Sequence, residues 1–190
     1  MKRLAIVLVL LFATSVFAQG LAFGVKGGIN YATLSGDDVV DASYKLGFAA
    51  GAVAAFDVMD MLVIQGEVLY SMKGAEYEGD ISTDLTYIEI PVLLKYAIPM
   101  AGMVAPNLFI GPSLGILLSA ESNDVDIKDA TKTTDFGIVF GAGADFDLGT
   151  GKVTVDARYN YGFSSIDDTA AELDVKNGGI SVMVGYLFGI

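Results

Sequence analysis

Residues 87–96 read YIEIPVLLKY, an apolar run that nevertheless holds a glutamate, Glu89, and a lysine, Lys95. In a strand, positions of equal parity share a face. Glu89 and Lys95 then lie with Tyr87, Pro91 and Leu93, while Ile88, Ile90, Val92, Leu94 and Tyr96 occupy the other side. In a helix the two charges would sit far apart around the axis, and Pro91 would break the middle turn. The strand reading fits better. It describes an element with one wholly apolar face and one mixed face, and leaves open what each face meets.

The same pattern recurs along the chain. Segments with a period of two fall at roughly 22–32, 44–57, 61–73, 85–98, 107–119, 135–147, 152–164 and 177–188. One parity carries the large apolar residues, such as Phe23, Val25, Ile29 and Tyr31 in the first segment and Ile180, Val182, Val184, Tyr186 and Phe188 in the last. The other parity is small or polar. It holds many glycines and the strand charges Lys26, Lys45, Asp57, Glu67, Glu89, Lys95, Asp145, Asp147, Asp156 and Arg158. The second, fourth, sixth and seventh segments each contain two or more charges, and within each of them the charges share a parity.

From Tyr96 to Ala120 no residue is charged, a length that would cross a bilayer as a helix. Pro99, Pro106 and Pro112 interrupt it, and two strands joined by IPMAGMVAP fit better. Connections alternate in length. VMDM, IPMAGMVAP and DLGTGK are short, whereas SGDDVVDASY, GAEYEGDISTD, ESNDVDIKDATKTTD and SSIDDTAAELDV are long and acidic. This is the layout of an up-and-down meander with two unlike ends.

A soluble barrel would place its apolar face inside and coat its outer face with Lys, Glu and Thr. Here the polar parity is mostly Gly, Ala and Ser with sparse charges. The apolar parity instead ends in aromatics: Phe23, Phe56, Tyr96, Phe146 and Phe188 towards the short turns, and Tyr31, Tyr70, Phe136 and Phe163 towards the long loops. Two aromatic girdles around an aliphatic band describe a transmembrane barrel. A Lys or Arg facing lipid near the midplane costs about 2–4 kcal/mol, so three of them would consume a domain's usual margin of about 5–15 kcal/mol. The expected fold is therefore all-β: a transmembrane, up-and-down antiparallel barrel of eight strands, closed so that no sheet edge meets lipid. Lys26, Glu67, Glu89, Lys95, Asp145, Asp156 and Arg158 are expected to face its lumen as a charge network. Pro91 and Pro112 cannot donate to a ladder, and bulges are expected beside them.

Residues 1–18 show the charge, apolar run and small-residue ending of a cleaved secretory signal peptide, leaving 19–190 as the barrel domain. Loss of Lys2 and Arg3 with that leader moves the formal charge of −12 by two, to −14. Such acidity excludes nucleic acid as a partner, whose phosphates need a basic footprint. There is no cysteine, so export brings neither disulfides nor a lipid-modified thiol.

FGVKGGINYATLSGDD, YIEIPVLLKY, FIGPSLGILLSA, DFGIVFGAGADF and DARYNYGFSSI together resemble the porin-like outer membrane protein beta-barrel family of Gram-negative bacteria, small eight-stranded barrels of the OmpA/OmpX type. The resemblance runs from about Leu21 to Ile190 and implies location in the outer membrane. Its implied partners are outer-membrane lipids and lipopolysaccharide, with the barrel-assembly machinery acting during insertion. The final GGISVMVGYLFGI resembles the assembly signal of such proteins, although Gly189-Ile190 follows the aromatic Phe188 on which many of them end.

No catalytic, cofactor or metal residues are assigned. Outer-membrane phospholipases, palmitoyl transferases and omptin-like proteases rely on a histidine, and this chain has neither His nor Cys. Asp124-Val125-Asp126 lacks the spacing of a calcium loop, so the acidic loops read as a solvated rim whose surface ligand, if any, the sequence leaves open. The luminal charges read as a structural network filling a narrow barrel or as a pore lining. The first gives a structural or cell-surface role; the second gives a narrow porin or carrier of small solutes. Inward glycines either leave room for water or serve tighter curvature.

Overall fold

The computed structural model describes residues 20–79, 81–100, 102–171 and 173–188; the leader assigned to residues 1–18 lies outside them. The strands are β1 (Leu21–Ser35), β2 (Ser43–Met59), β3 (Leu62–Tyr77), β4 (Ile81–Ala97), β5 (Val104–Ser122), β6 (Val125–Asp126), β7 (Thr134–Asp147), β8 (Gly151–Gly162) and β9 (Lys176–Phe188). β6 is a two-residue piece within a loop. The other eight pair antiparallel in the order β1-β2-β3-β4-β5-β7-β8-β9, and β9 returns to β1 from Phe23↔Phe188 to Ser35↔Lys176. The sheet is a closed eight-stranded barrel, as the sequence pattern requires.

The faces follow the parity. Val25, Ile29, Leu46, Ile64, Val68, Val92, Leu94, Leu108, Ile110, Val182 and Val184 are exposed on the outside, while Lys26, Asn30, Glu67, Leu69, Leu93, Phe109, Asp156, Arg158 and Met183 are buried inside. Exposed Phe23, Tyr96 and Phe188 mark one rim. At the other, Tyr31 stacks on Tyr44 at 4.7 Å between ring centroids, and Phe48 lies against Tyr70. Val184, opposite Gly27 and Val155, sits between the two belts. Val184→Lys should therefore lower the unfolding free energy in lipid vesicles by about 2–4 kcal/mol. An unchanged urea midpoint would mean that this face does not meet hydrocarbon.

The prolines do not produce the expected bulges. Pro91 stays in register with Ser113, and Pro112 with Ile138. Instead the ladders skip a step beside them. β3–β4 pairing passes from Gly66↔Val92 to Leu69↔Glu89, and β4–β5 pairing from Pro91↔Ser113 to Leu94↔Ile110. A proline removes one donor but already has the φ of an extended chain, so lost bonds suffice and no residue need be inserted. Register shifts occur elsewhere, between Tyr44 and Ala49, between Asp57 and Met59, and at Thr86/Tyr87.

The long-loop end is more ordered than its acidic composition suggests. GAEYEGDISTD is mostly strand: β3 and β4 stay paired out to Tyr77↔Ile81, and Gly79 in the turn has φ +85°. In the next loop Asn123 and Asp124 both have positive φ (48° and 63°), as a two-residue hairpin turn requires. That turn pairs Ser122 with Val125, and Asn123 accepts a hydrogen bond from Ser82 N–H at 3.0 Å.

Candidate functional site: the lumen and its two ends

Alternation on β1, β3 and β8 brings Lys26, Glu67, Asp156 and Arg158 to one level of the lumen. Lys26 Nζ lies 3.0 Å from Glu67 Oε1 and 2.6 Å from Asp156 Oδ2. Arg158 Nη1 donates to Glu67 Oε2 at 2.7 Å, and its Nε donates to Asp156 Oδ1 at 2.8 Å. The guanidinium also lies 5.5 Å from the centre of the Phe109 ring. Two cations and two anions cancel, each is contacted by both opposite charges, and Lys26 and Arg158 are only 3% and 4% exposed. Around the ring β3 and β8 are four strands apart in both directions, so Arg158–Glu67 spans the barrel diameter.

Lys95 pairs with Asp145 at 3.2 Å, nearer the short-turn rim. Glu89 pairs with Lys73 of β3. The two charges of YIEIPVLLKY thus share a face but join different ion pairs at different heights. Lys73, the last residue of the third segment, is not among the charges expected in the network. Its parity, equal to that of Glu67, was the available signal.

Above Lys73–Glu89 a second set of side-chain contacts crosses the lumen. Asn177 of β9 donates from Nδ2 to Tyr87 Oη at 3.1 Å and to Asp135 Oδ2 at 2.9 Å, while Ser164 donates to Asp135 Oδ1 at 3.0 Å. Tyr87 on β4 and Asn177 on β9 also stand on opposite walls. Over them Leu34, Ala75, Leu85, Tyr87, Leu117, Ala120 and Ile166 form a buried apolar cluster, against which Val39, Tyr77, Ile127 and Val175 pack. Ile166, Ile127, Val39 and Val175 come from the acidic loops, so these loops are more than the solvated rim expected of them. They insert apolar residues into the barrel mouth and leave Asp37, Asp38, Asp124, Asp126, Asp129 and Asp168 exposed.

Local bonds hold that cap in place. Thr131 and Asp167 form a β-bridge between two loops, and Lys132 N–H donates to Ile166 O at 2.7 Å. The Asp167 carboxylate also accepts from Leu173 N–H at 2.9 Å and from the Thr169 hydroxyl. Slight burial works against its ionisation, yet these hydrogen bonds hold it below the usual carboxylate range.

At the other end the barrel widens into a recess of about 630 Å³ bounded by Asp57, Met59, Met100, Met103, Asp145 and Lys152 among others. The internal void beside Lys73, Glu89 and Asp135 is only about 10 Å³. Among the described residues no cluster of His, Cys, Asp and Glu is arranged to hold a metal ion.

A closed eight-stranded barrel with a polar, ion-paired interior, an apolar exterior and aromatic rims is an integral protein of the bacterial outer membrane. The chain belongs to the outer membrane protein beta-barrel domain family, whose model matches residues 17–168. Among solved structures it is similar to Neisserial surface protein A, with 19% identity, 87% of this chain and 97% of that one covered, and a TM-score of 0.56. It is also similar to the attachment invasion locus protein Ail of Yersinia pestis in complex with the heparin analogue sucrose octasulfate, at 19% identity, with 89% and 99% covered and a TM-score of 0.48. OprG of Pseudomonas aeruginosa is similar at 13% identity, with 90% and 94% covered and a TM-score of 0.47. Comparison with curated protein sequences gives no significant match.

Proposed function

We propose that the protein is a closed, non-conducting barrel with a structural or cell-surface role and no catalytic step. The observation that carries this reading is the Arg158–Glu67 contact across the barrel diameter. Direct bonds between opposite walls obstruct an aqueous path along the axis, and at eight strands side chains suffice to fill an interior. Tyr87–Asn177 repeats the crossing at a higher level, and the loop-borne apolar cap covers it. The Lys26, Glu67, Glu89, Lys95, Asp145, Asp156 and Arg158 network is then scaffold, with Lys73 as a further member. Residues 1–18 serve export, and assembly machinery inserts the barrel with its short turns and both termini on the periplasmic side. The long loops, with their exposed carboxylates, face lipopolysaccharide and the cell exterior.

The test is single-channel recording on refolded protein inserted in a planar bilayer. The expected result is no steady current in protein shown to be folded and inserted. Steady conductance that changes in Glu89→Gln and Lys95→Met would replace this reading with that of a narrow porin.

A further inference from the structure

Four of the chain's seven methionines stand on two neighbouring turns at one end of the barrel. Met59, the last residue of β2, and Met61 flank Asp60 at the turn into β3, and Met100 and Met103 lie between β4 and β5. All four are exposed. The turns are tied together and to the barrel: Ala97 N–H donates to Met61 O at 2.8 Å, and Asp147 N–H donates to Met103 O at 2.9 Å. Met59, Met100 and Met103 border the same recess of about 630 Å³. Met61 is directed elsewhere, its sulfur accepting from the Tyr96 hydroxyl at 3.6 Å in the aromatic rim.

Apolar anchoring alone does not account for this choice of residue. The chain uses Leu, Ile and Val freely on its lipid-facing surface, yet these two turns concentrate the one apolar side chain that carries a soft donor atom. Thioethers select soft cations, whereas carboxylates and carbonyls suit magnesium and calcium. Asp57, Asp60, Asp145 and Asp147 surround the recess, against which stand Lys152 and the Asp145-paired Lys95. Their excess negative charge raises the local concentration of any cation, and the sulfurs discriminate among those that arrive.

We propose that the short-turn end of the barrel is a binding site for a soft monovalent cation, Cu(I) or Ag(I), with the thioethers of Met59, Met100 and Met103 as its ligands. Methionine side chains are long and unbranched, so three sulfurs on adjacent turns can close around one ion without moving the strands. The site is open to the aqueous side and independent of whether the lumen conducts.

Silver is the better probe because it undergoes no redox change. Refolded protein in detergent micelles is titrated with Ag(I) against a chromophoric competitor, with folding verified by circular dichroism. The wild type is expected to retain a single tightly held ion that excess Mg(II) does not displace. Met59→Leu/Met100→Leu/Met103→Leu keeps the apolar volume and removes only the sulfurs, and should weaken binding at least about tenfold. Met72→Leu, outside the recess, should bind as the wild type does. Sulfur ligation in the X-ray absorption spectrum of the silver-loaded protein would support the assignment. Failure of the wild type to retain silver would overturn it, as would equal binding by the triple-leucine protein, since the carboxylates would then hold the ion.

Discussion

Glu67→Leu is expected to cost the barrel about 3–5 kcal/mol of unfolding free energy, because it leaves two buried cations facing one anion. Glu67 accepts from Arg158 and Lys26, and also from the Gln65 amide at 2.6 Å, so no other carboxylate takes over its role. Asp156 already serves both cations. The double variant Glu67→Leu/Arg158→Met leaves Lys26–Asp156 as a neutral pair and should recover at least half of that loss, since a buried ion pair replaced by apolar groups is often near neutral. Equilibrium urea unfolding from lipid vesicles checks both values. A loss below about 1 kcal/mol for the single variant would mean that water reaches Arg158 and solvates it, the behaviour of a pore rather than of a filled core.

How much of this could be read from the chain divides along a geometric line. Side-chain parity states which wall of a strand a residue is on, and a period of two is hard to mistake over ten or more residues. YIEIPVLLKY therefore yields the lumen-facing Glu89 and Lys95, and the same rule applied elsewhere yields Lys26, Glu67, Asp156 and Arg158. Parity does not state height along the axis or the angle around it. Those depend on the stagger between neighbouring strands, which accumulates around the barrel and is written in no single strand. Hence the partner of Glu89 is Lys73, while Lys95 joins Asp145. The loop cap was illegible for another reason. Val39, Ile127, Ile166 and Val175 lie in short polar stretches without a sustained period of two, and only the convergence of several loops at one mouth turns them into a core.

The largest backbone effect is expected from Gly24→Ala/Gly28→Ala, which should lower stability by about 2–6 kcal/mol, taking about 1–3 per overpacked site. Both glycines point inward on β1 where β9 passes close. A Cβ on Gly24 would lie 2.0 Å from the Tyr186 carbonyl oxygen, and one on Gly28 would lie 2.0 Å from that of Val182. A main-chain carbonyl in a paired ladder cannot rotate away as a flexible side chain would, so the two strands must part. The comparison is Gly66→Ala, on the outer face of β3, where an added methyl meets nothing within 4 Å. That change should be neutral, or stabilising by about 0.4–1 kcal/mol through the restricted unfolded chain. The contrast decides between two uses of inward glycine. If these residues kept the lumen open, the added methyls would enter free space and the inner pair would behave like Gly66. If they let backbones bend inward and approach, only the inner pair is costly. The geometry favours the second, and it connects to function: a barrel drawn in at its glycines is narrow enough for Arg158 and Glu67 to meet across it.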